Sequence, residues 1–298
     1  ATLRAGLFAG AALVGGAASS AAERSIPDMD LRLVQIQPGT FTLGSPPAPD
    51  GRIGDEGPQT RVTFEKPFWL GATEVTVGQW RKFAEATGNR TDAEINGGMS
   101  AWIGGTTRFE IRRELNWKNP GYPQDDNYPV VGVTWNEAQK FCVWLTERER
   151  VAGRLPAGHV YTLPTLAQWE YACTAGGTGP DMHKVPHDYA WFAGNSGGHP
   201  HPVATKKPNA WGLYDMIGNA WESCQDWYWK YPGGSVTDPS GPSSSDDPRV
   251  LGKVREGRGN GWNSAGPGHG TSSQNRWNSP NLEKRNNLGF RVALSLAR

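Results

Sequence analysis

The sequence predicts a loop-rich α+β fold with a small twisted antiparallel sheet and a few short helices. Two observations carry this. Gly 39, Pro 23 and Trp 14 among 298 residues describe a chain of many turns, whose core depends on aromatic rings and not on long amphipathic helices. Apolar residues alternate over short segments, or recur at helical spacing only briefly, after a Thr that is followed three residues later by Gln or Glu.

Charge narrows the possible partners. With charged residues at 20% and a formal net charge of +1, nothing favours nucleic acid or an anionic membrane surface. Arg4, the small apolar run from Ala5 to Ala18 and then Ser19 to Ala22 have the pattern of a secretory signal. The expectation is a signal peptide over 1–22, with an N-terminal anchor as the alternative, and one domain over 23–298. The apolar run is shorter than the roughly 20 residues that span a bilayer, and no later stretch is a candidate. Cys142, Cys173 and Cys224 match no zinc spacing. They are expected as small buried hydrophobes, or as one bridge and one leftover thiol.

In chain order, Leu31 to Ile36 reads as a strand and Pro38 to Ser45 as a tight turn into a second, together a hairpin. Phe68 to Val75 is a further strand. Thr76-Val77-Gly78-Gln79 is a capping box, so a helix follows with Trp80, Phe83 and Ala84 inward, ending at Gly88-Asn89. Thr134 to Glu137 and Thr165 to Gln168 repeat the device. The second helix should bury Ala138, Phe141, Cys142 and Leu145, and the third Trp169 and Ala172. Thr91 to Tyr128, polar and without sustained periodicity, is an excursion from the core. His199 and His201, with no third ligand nearby, read as solvent-facing loop histidines. Tyr231 to Asp247, rich in Pro, Gly, Ser and Asp, reads as a mobile surface loop.

Asn209 to Glu222 is the stretch around which the rest is organised. Gly212 and Gly218 permit backbone angles other residues resist, and Asn209 and Asn219 can bond their own backbone. Trp211, Leu213, Tyr214, Met216 and Trp221 give the loop a core of its own. The run Asn209-Ala210-Trp211-Gly212-Leu213-Tyr214-Asp215-Met216-Ile217-Gly218-Asn219-Ala220-Trp221-Glu222 also resembles the signature of the formylglycine-generating enzyme, or sulfatase-modifying factor, family. The resemblance extends to Pro38–Ser45, Tyr128–Trp135, Leu163–Ala172 and Asn287-Leu288-Gly289-Phe290-Arg291, nearly the whole chain after residue 31. It implies a C-type-lectin-like fold.

What the resemblance implies about chemistry is divided. The oxidase of this family binds copper between two cysteines in the closing stretch and converts a target cysteine to formylglycine with molecular oxygen. Here Asn263 to Pro280 contains no cysteine. A soft Cu(I) ion wants thiolates, which His269 and the hydroxyls cannot replace, so no copper is expected. Trp262, His269, Gln274, Asn275, Arg276 and Trp277, on Gly-rich loops, instead offer rigid aromatic area and adaptable amides for binding. The resemblance further implies a structural Ca2+ site, with Asn219 and Glu222 as side-chain ligands and carbonyls near Ile217 and Ala220. The expectation is therefore an exported, periplasmic or extracellular binding module that has lost the oxidase, a pseudoenzyme. Its partner would be a protein of an envelope complex or a polar extracellular ligand, with no nucleic acid, and with membrane contact only through an uncleaved N-terminal segment. The alternatives are an oxidoreductase, acting on sulfatases or in cysteine-independent siderophore maturation, and a retroelement-diversified variable binding protein. No serine sits in a recognisable nucleophile turn, so hydrolysis has no motif.

Overall fold

The computed structural model describes residues 23–46, 57–102, 108–177, 187–265, 277–279 and 283–297. The chain opens with β1 (Glu23–Ile26), β2 (Leu31–Ile36), β3 (Gly39–Leu43), β4 (Thr60–Phe64) and β5 (Phe68–Gly71). Helices α1 (Val77–Thr87) and α2 (Asp92–Ile95) lead to the hairpin of β6 (Met99–Trp102) and β7 (Phe109–Arg112). Then come α3 (Trp135–Val151), β8 (His159–Thr162) and α4 (Leu166–Cys173). The last part holds β9 (Trp221–Trp229), β10 (Ser235–Thr237), β11 (Val250–Arg258), β12 (Trp277–Ser279), β13 (Leu288–Gly289) and β14 (Ala293–Leu296).

Among the described residues the largest sheet has five strands in the order β1-β2-β5-β14-β8. Every neighbouring pair in it is antiparallel. Both of its faces are covered. On β2, Leu31 and Leu33 point into a core with α1 and α3, while Val34 and Ile36 point into another with α4. Ala293 and Leu294 divide in the same way on β14, as the period of two requires. The first core stacks Trp80, Phe83, Phe141 and Phe290 with ring centroids 5.0–6.0 Å apart.

The expected hairpin is not formed. β2 pairs with β1 and β5, and β3 pairs with β4 in a separate sheet. A strand buried on both faces in mid-sheet already has both its edges filled, so the chain after Pro38 turns away. The strand expected over Phe68 to Val75 ends at Gly71.

All three expected capping boxes are present, at Thr76, Thr134 and Thr165. A fourth, Thr91 with Glu94, opens α2 inside the excursion. That excursion has a small core of Ala93, Met99, Ala101 and Leu115. It is stitched back by Ser100 N–H to Lys284 O (3.0 Å) and Asn286 N–H to Ser100 O (3.0 Å). The Pro/Gly/Ser/Asp stretch is not a free loop throughout, because β10 within it adds in parallel to β4. All three cysteines are free and buried, the first of the two outcomes considered. Among the described residues no helix is long and apolar enough to cross a membrane.

Candidate functional site

The loop before β9 is held by its own amides. Asn209 Oδ1 accepts from the N–H groups of Trp211 (3.0 Å) and Leu213 (3.1 Å). Its Nδ2 donates to Ala172 O (2.7 Å) and Cys173 O (3.1 Å), closing the C-terminal end of α4. Gly218 has φ 79°, and a Cβ there would lie 2.1 Å from Trp191 O, so only glycine fits. Asn219 follows at φ 58°, a region asparagine enters more readily than most residues. Its amide does not bond its own turn. It clamps the backbone of His201, accepting from His201 N–H at 2.8 Å and donating to His201 O at 3.2 Å.

Beside this loop a run of rings forms a wall. His201 stacks on Trp191 with centroids 3.7 Å apart, His199 lies 4.9 Å from His201, and Tyr122 lies 6.2 Å from His199. Tyr122 also meets Trp262 edge-on at 6.2 Å. Lys206 sits 3.8 Å over the Trp191 ring. Asn286 O is the hub at the far end, accepting from Tyr122 Oη–H (2.9 Å) and Trp262 Nε1–H (3.4 Å). The histidines are thus half-buried in a stack and not simply solvent-facing. Burial lowers the pKa of His201.

Below the loop lies a buried charge cluster. Arg291, with no exposed side chain, binds Glu222 through Nε (2.6 Å) and Nη2 (2.6 Å). Trp169 Nε1–H adds a third bond to Glu222 at 2.7 Å. Glu74 and Asp215 share the cluster, and both are buried. Glu74 Oε2 and Asp215 Oδ1 have no hydrogen-bond partner. Burial, and then the charges of Asp215 and Glu222, push the Glu74 carboxyl well above the carboxylate range. Burial likewise raises Asp215 to about 6, against the bond that its Oδ2 accepts from Ala204 N–H at 2.7 Å. Three carboxyls around one guanidinium leave an excess of negative charge, which protons or a cation must neutralise.

The residues expected to ligate calcium lie at the end of this loop and at the start of β9. The Glu222 carboxylate accepts from Arg291 and Trp169, and the Asn219 amide oxygen accepts from His201 N–H, so a Ca2+ at the expected site would share these oxygens with those donors. Ile217 is buried in the core, and Ala220 lies beside Glu74, its N–H reaching Oε1 at 3.4 Å. Within this charge cluster the oxygens without partners are Glu74 Oε2 and Asp215 Oδ1, groups that sequence reasoning passed over. The available signal was an acid, Glu74, alone in the apolar run Phe68 to Val77. Among the described residues no three His, Cys, Asp or Glu side chains form a metal group.

Of the expected binding surface, Trp262 is 2% exposed and serves as the foundation of the ring wall, not as an exposed contact. His269, Gln274, Asn275 and Arg276 lie outside the described residues, as does the side chain of Trp277, whose backbone opens β12. Tyr122, Trp191 and Asn286 were missed, because only the tertiary fold brings the excursion and the closing segment against Trp262. For copper the fit is poor. The three thiols are buried in the frame, and burial raises the pKa of each.

The sulfatase-modifying factor enzyme 1-like domain model matches residues 17–296. Formylglycine-generating enzyme of Bos taurus is 28% identical over 263 residues, 74% of this chain and 65% of that protein, so the chain spans under two thirds of this relative's length. Inactive C-alpha-formylglycine-generating enzyme 2 of Bos taurus is 28% identical over 311 residues, 90% of this chain and 89% of the relative. The solved structure of PvdO from Pseudomonas aeruginosa superposes with a TM-score of 0.70 at 28% identity, covering 94% of this chain and 100% of that one. With a family match over residues 17–296 and a structural likeness over nearly its whole length, the chain belongs to the formylglycine-generating enzyme, or sulfatase-modifying factor, family.

Proposed function

We propose that this protein is a member of the family without the copper oxidase, acting as an exported module that binds a polar ligand or an envelope protein. The observation that carries the reading is the placement of the thiols. Cys142, Cys173 and Cys224 are all buried in the frame, and the chain has no cysteine after Cys224. No thiolate pair is therefore available in the closing stretch to hold Cu(I). The likeness to a relative named as inactive supports the same reading. Residues 1–22 would direct export and 23–298 would form one domain. The binding surface would be the His199 side of the ring wall, which Trp262 supports from beneath, together with His269, Gln274, Asn275, Arg276 and Trp277. A structural Ca2+, held by Asn219, Glu222 and the carbonyls near Ile217 and Ala220 as the resemblance implies, would strengthen the loop before β9.

The test is oxygen consumption and product mass on a cysteine-containing sulfatase peptide, with and without Cu(I). No conversion above a no-enzyme control is expected. Formylglycine formation would overturn the binding reading in favour of an oxidoreductase like the active relatives.

A further inference from the structure

Between the end of α1 and the loop after β7 lies a cavity of about 510 Å3, the size of a small-molecule site, which shares no residue with the ring wall. Its floor is apolar, formed by Ala84, by Gly88 and by the indole of Trp117, which is fixed by donating from Nε1 to Glu94 Oε2 at 3.1 Å. Five charged side chains line it, and three of them are satisfied within the fold. Lys118 Nζ bonds Glu94 Oε1 at 2.8 Å, and Arg81 pairs with Asp126 at 2.6 Å. Glu85 and Arg90 remain, and among the described residues neither has an ion-pair partner. The cations at helical spacing from Glu85 are both engaged elsewhere, Arg81 with Asp126 and Lys82 Nζ with Asp28 O at 2.7 Å. Arg90 donates from Nη2 to the carbonyl of Glu94 at 3.2 Å, an anchor that orients the guanidinium without neutralising it.

The end of α1 adds acceptors beside Glu85. Gly88 closes the helix in the left-handed region (φ 68°), and no basic side chain lies in the last turn. Asn89 N–H donates to Thr87 Oγ at 3.3 Å instead of returning to the helix carbonyls as in a Schellman cap. The negative end of the helix dipole and Glu85 therefore share one lip of the cavity, and both attract a positive group. Arg90 attracts a negative one, and the amide nitrogen of Asn89, in the same wall, has no hydrogen-bond partner. Glu85 and Arg90 flank a single cap, so the two opposite charges stand close together over one apolar floor. We propose that this cavity binds a free α-amino acid with an aromatic side chain, its carboxylate on Arg90, its ammonium at Glu85 and the last carbonyls of α1, and its ring on Trp117 and Ala84. A simple anion would leave Glu85 and the helix end unmatched, and a simple amine would leave Arg90 so.

The probe is L-phenylalanine, titrated into the whole protein by calorimetry at about pH 6, below the ordinary α-amino range. It is compared with N-acetyl-L-phenylalanine, which lacks the ammonium, and L-phenylalaninamide, which lacks the carboxylate. Phenylalanine should bind saturably, and each blocked form about ten-fold more weakly, the loss of one charge-assisted bond. Arg90→Gln should bring phenylalanine down to the level of its amide, and Glu85→Gln towards that of the N-acetyl form. Both side chains are exposed, so the fold withstands either change. Binding should be unchanged in His199→Gln, which alters only the ring wall. Absence of saturable heat with phenylalanine, blocked forms that bind as tightly as phenylalanine, or wild-type affinity in Arg90→Gln would each overturn the proposal. Loss of binding in His199→Gln would move the ligand to the ring wall and overturn it equally.

Discussion

Arg291 shows how one side chain can hold a loop-rich molecule together. Besides its two bonds to Glu222, it donates through Nη1 to Gly71 O and through Nη2 to Tyr214 O, both at 2.9 Å. It thereby joins the end of β5, the loop before β9 and β9 itself. Removing one partner of a buried pair strands the other charge, which typically costs about 3–5 kcal/mol. Arg291→Ala should therefore lower the urea midpoint sharply, and Arg291→Lys should rescue little, because one ammonium cannot reproduce the fork. A midpoint unchanged in Arg291→Ala would show that Glu222 finds other compensation. Arg258 plays a similar part under α4, bonding Glu170 (2.7 Å) and the Tyr231 hydroxyl (2.8 Å). Glu170 in turn accepts from Gly44 N–H at 2.8 Å, so the end of β3 joins that network.

At the level of elements, the helices start by a single local device whose parts are shared between neighbours. The Glu137 carboxylate returns to Thr134 N–H at 2.7 Å to close its own box, and its other oxygen accepts from Asp92 N–H at 2.6 Å. One side chain thus satisfies the first turns of both α3 and α2, where a cap alone is typically worth about 1 kcal/mol. Glu94 closes the α2 box. Burial opposes its charge, but Lys118, the Thr91 N–H, the Trp117 indole and the Thr91 hydroxyl together hold its pKa at about 2. A carboxylate with a depressed folded pKa contributes stability above its unfolded value, about 4.3, and loses it as pH falls towards the folded value. The melting temperature of wild type should exceed that of Glu94→Gln at neutral pH, with the gap closing between about pH 4.3 and 2. A gap independent of pH would mean that shape and not charge is what Glu94 supplies.

Across the whole molecule, the chain is closed by its own end. β14 lies between β5 and β8 in the large sheet, so strands from both halves of the sequence meet through the last residues described. The loop before β9 rests on this frame and connects it to the ring wall, with the Glu74–Asp215 pair at the junction. A Ca2+ held by this loop as proposed would act on the folded state, and at one hundred times its Kd would add about 2.7 kcal/mol of stability. Ca2+ should raise the melting temperature, EDTA should reverse the rise, and Asn219→Ala should blunt it. Identical melting curves with Ca2+ and EDTA would count against the site.

By itself the sequence determined those features whose causes lie within a few residues of one another. The helix starts at Thr76, Thr134 and Thr165 were legible because a capping box is complete in four residues. The Gly218-Asn219 turn was legible because few other residues tolerate its φ angles, and the cysteine-free closing stretch was legible by inspection. The Thr91 box was equally local but lay in a stretch without hydrophobic periodicity, and so went unread. Only the tertiary structure decided which strands pair and which polar groups remain free. β2 joins β1 and β5 instead of β3, because a pairing is chosen by the burial of both faces and not by proximity in the chain. Asn219 and Glu222 carry the residue types of calcium ligands, and only the fold shows that His201, Trp169 and Arg291 bond their oxygens while Glu74 Oε2 and Asp215 Oδ1 in the same cluster stay unpartnered. A side chain's type states what it can bond, and its neighbours in space determine what remains for it to bind.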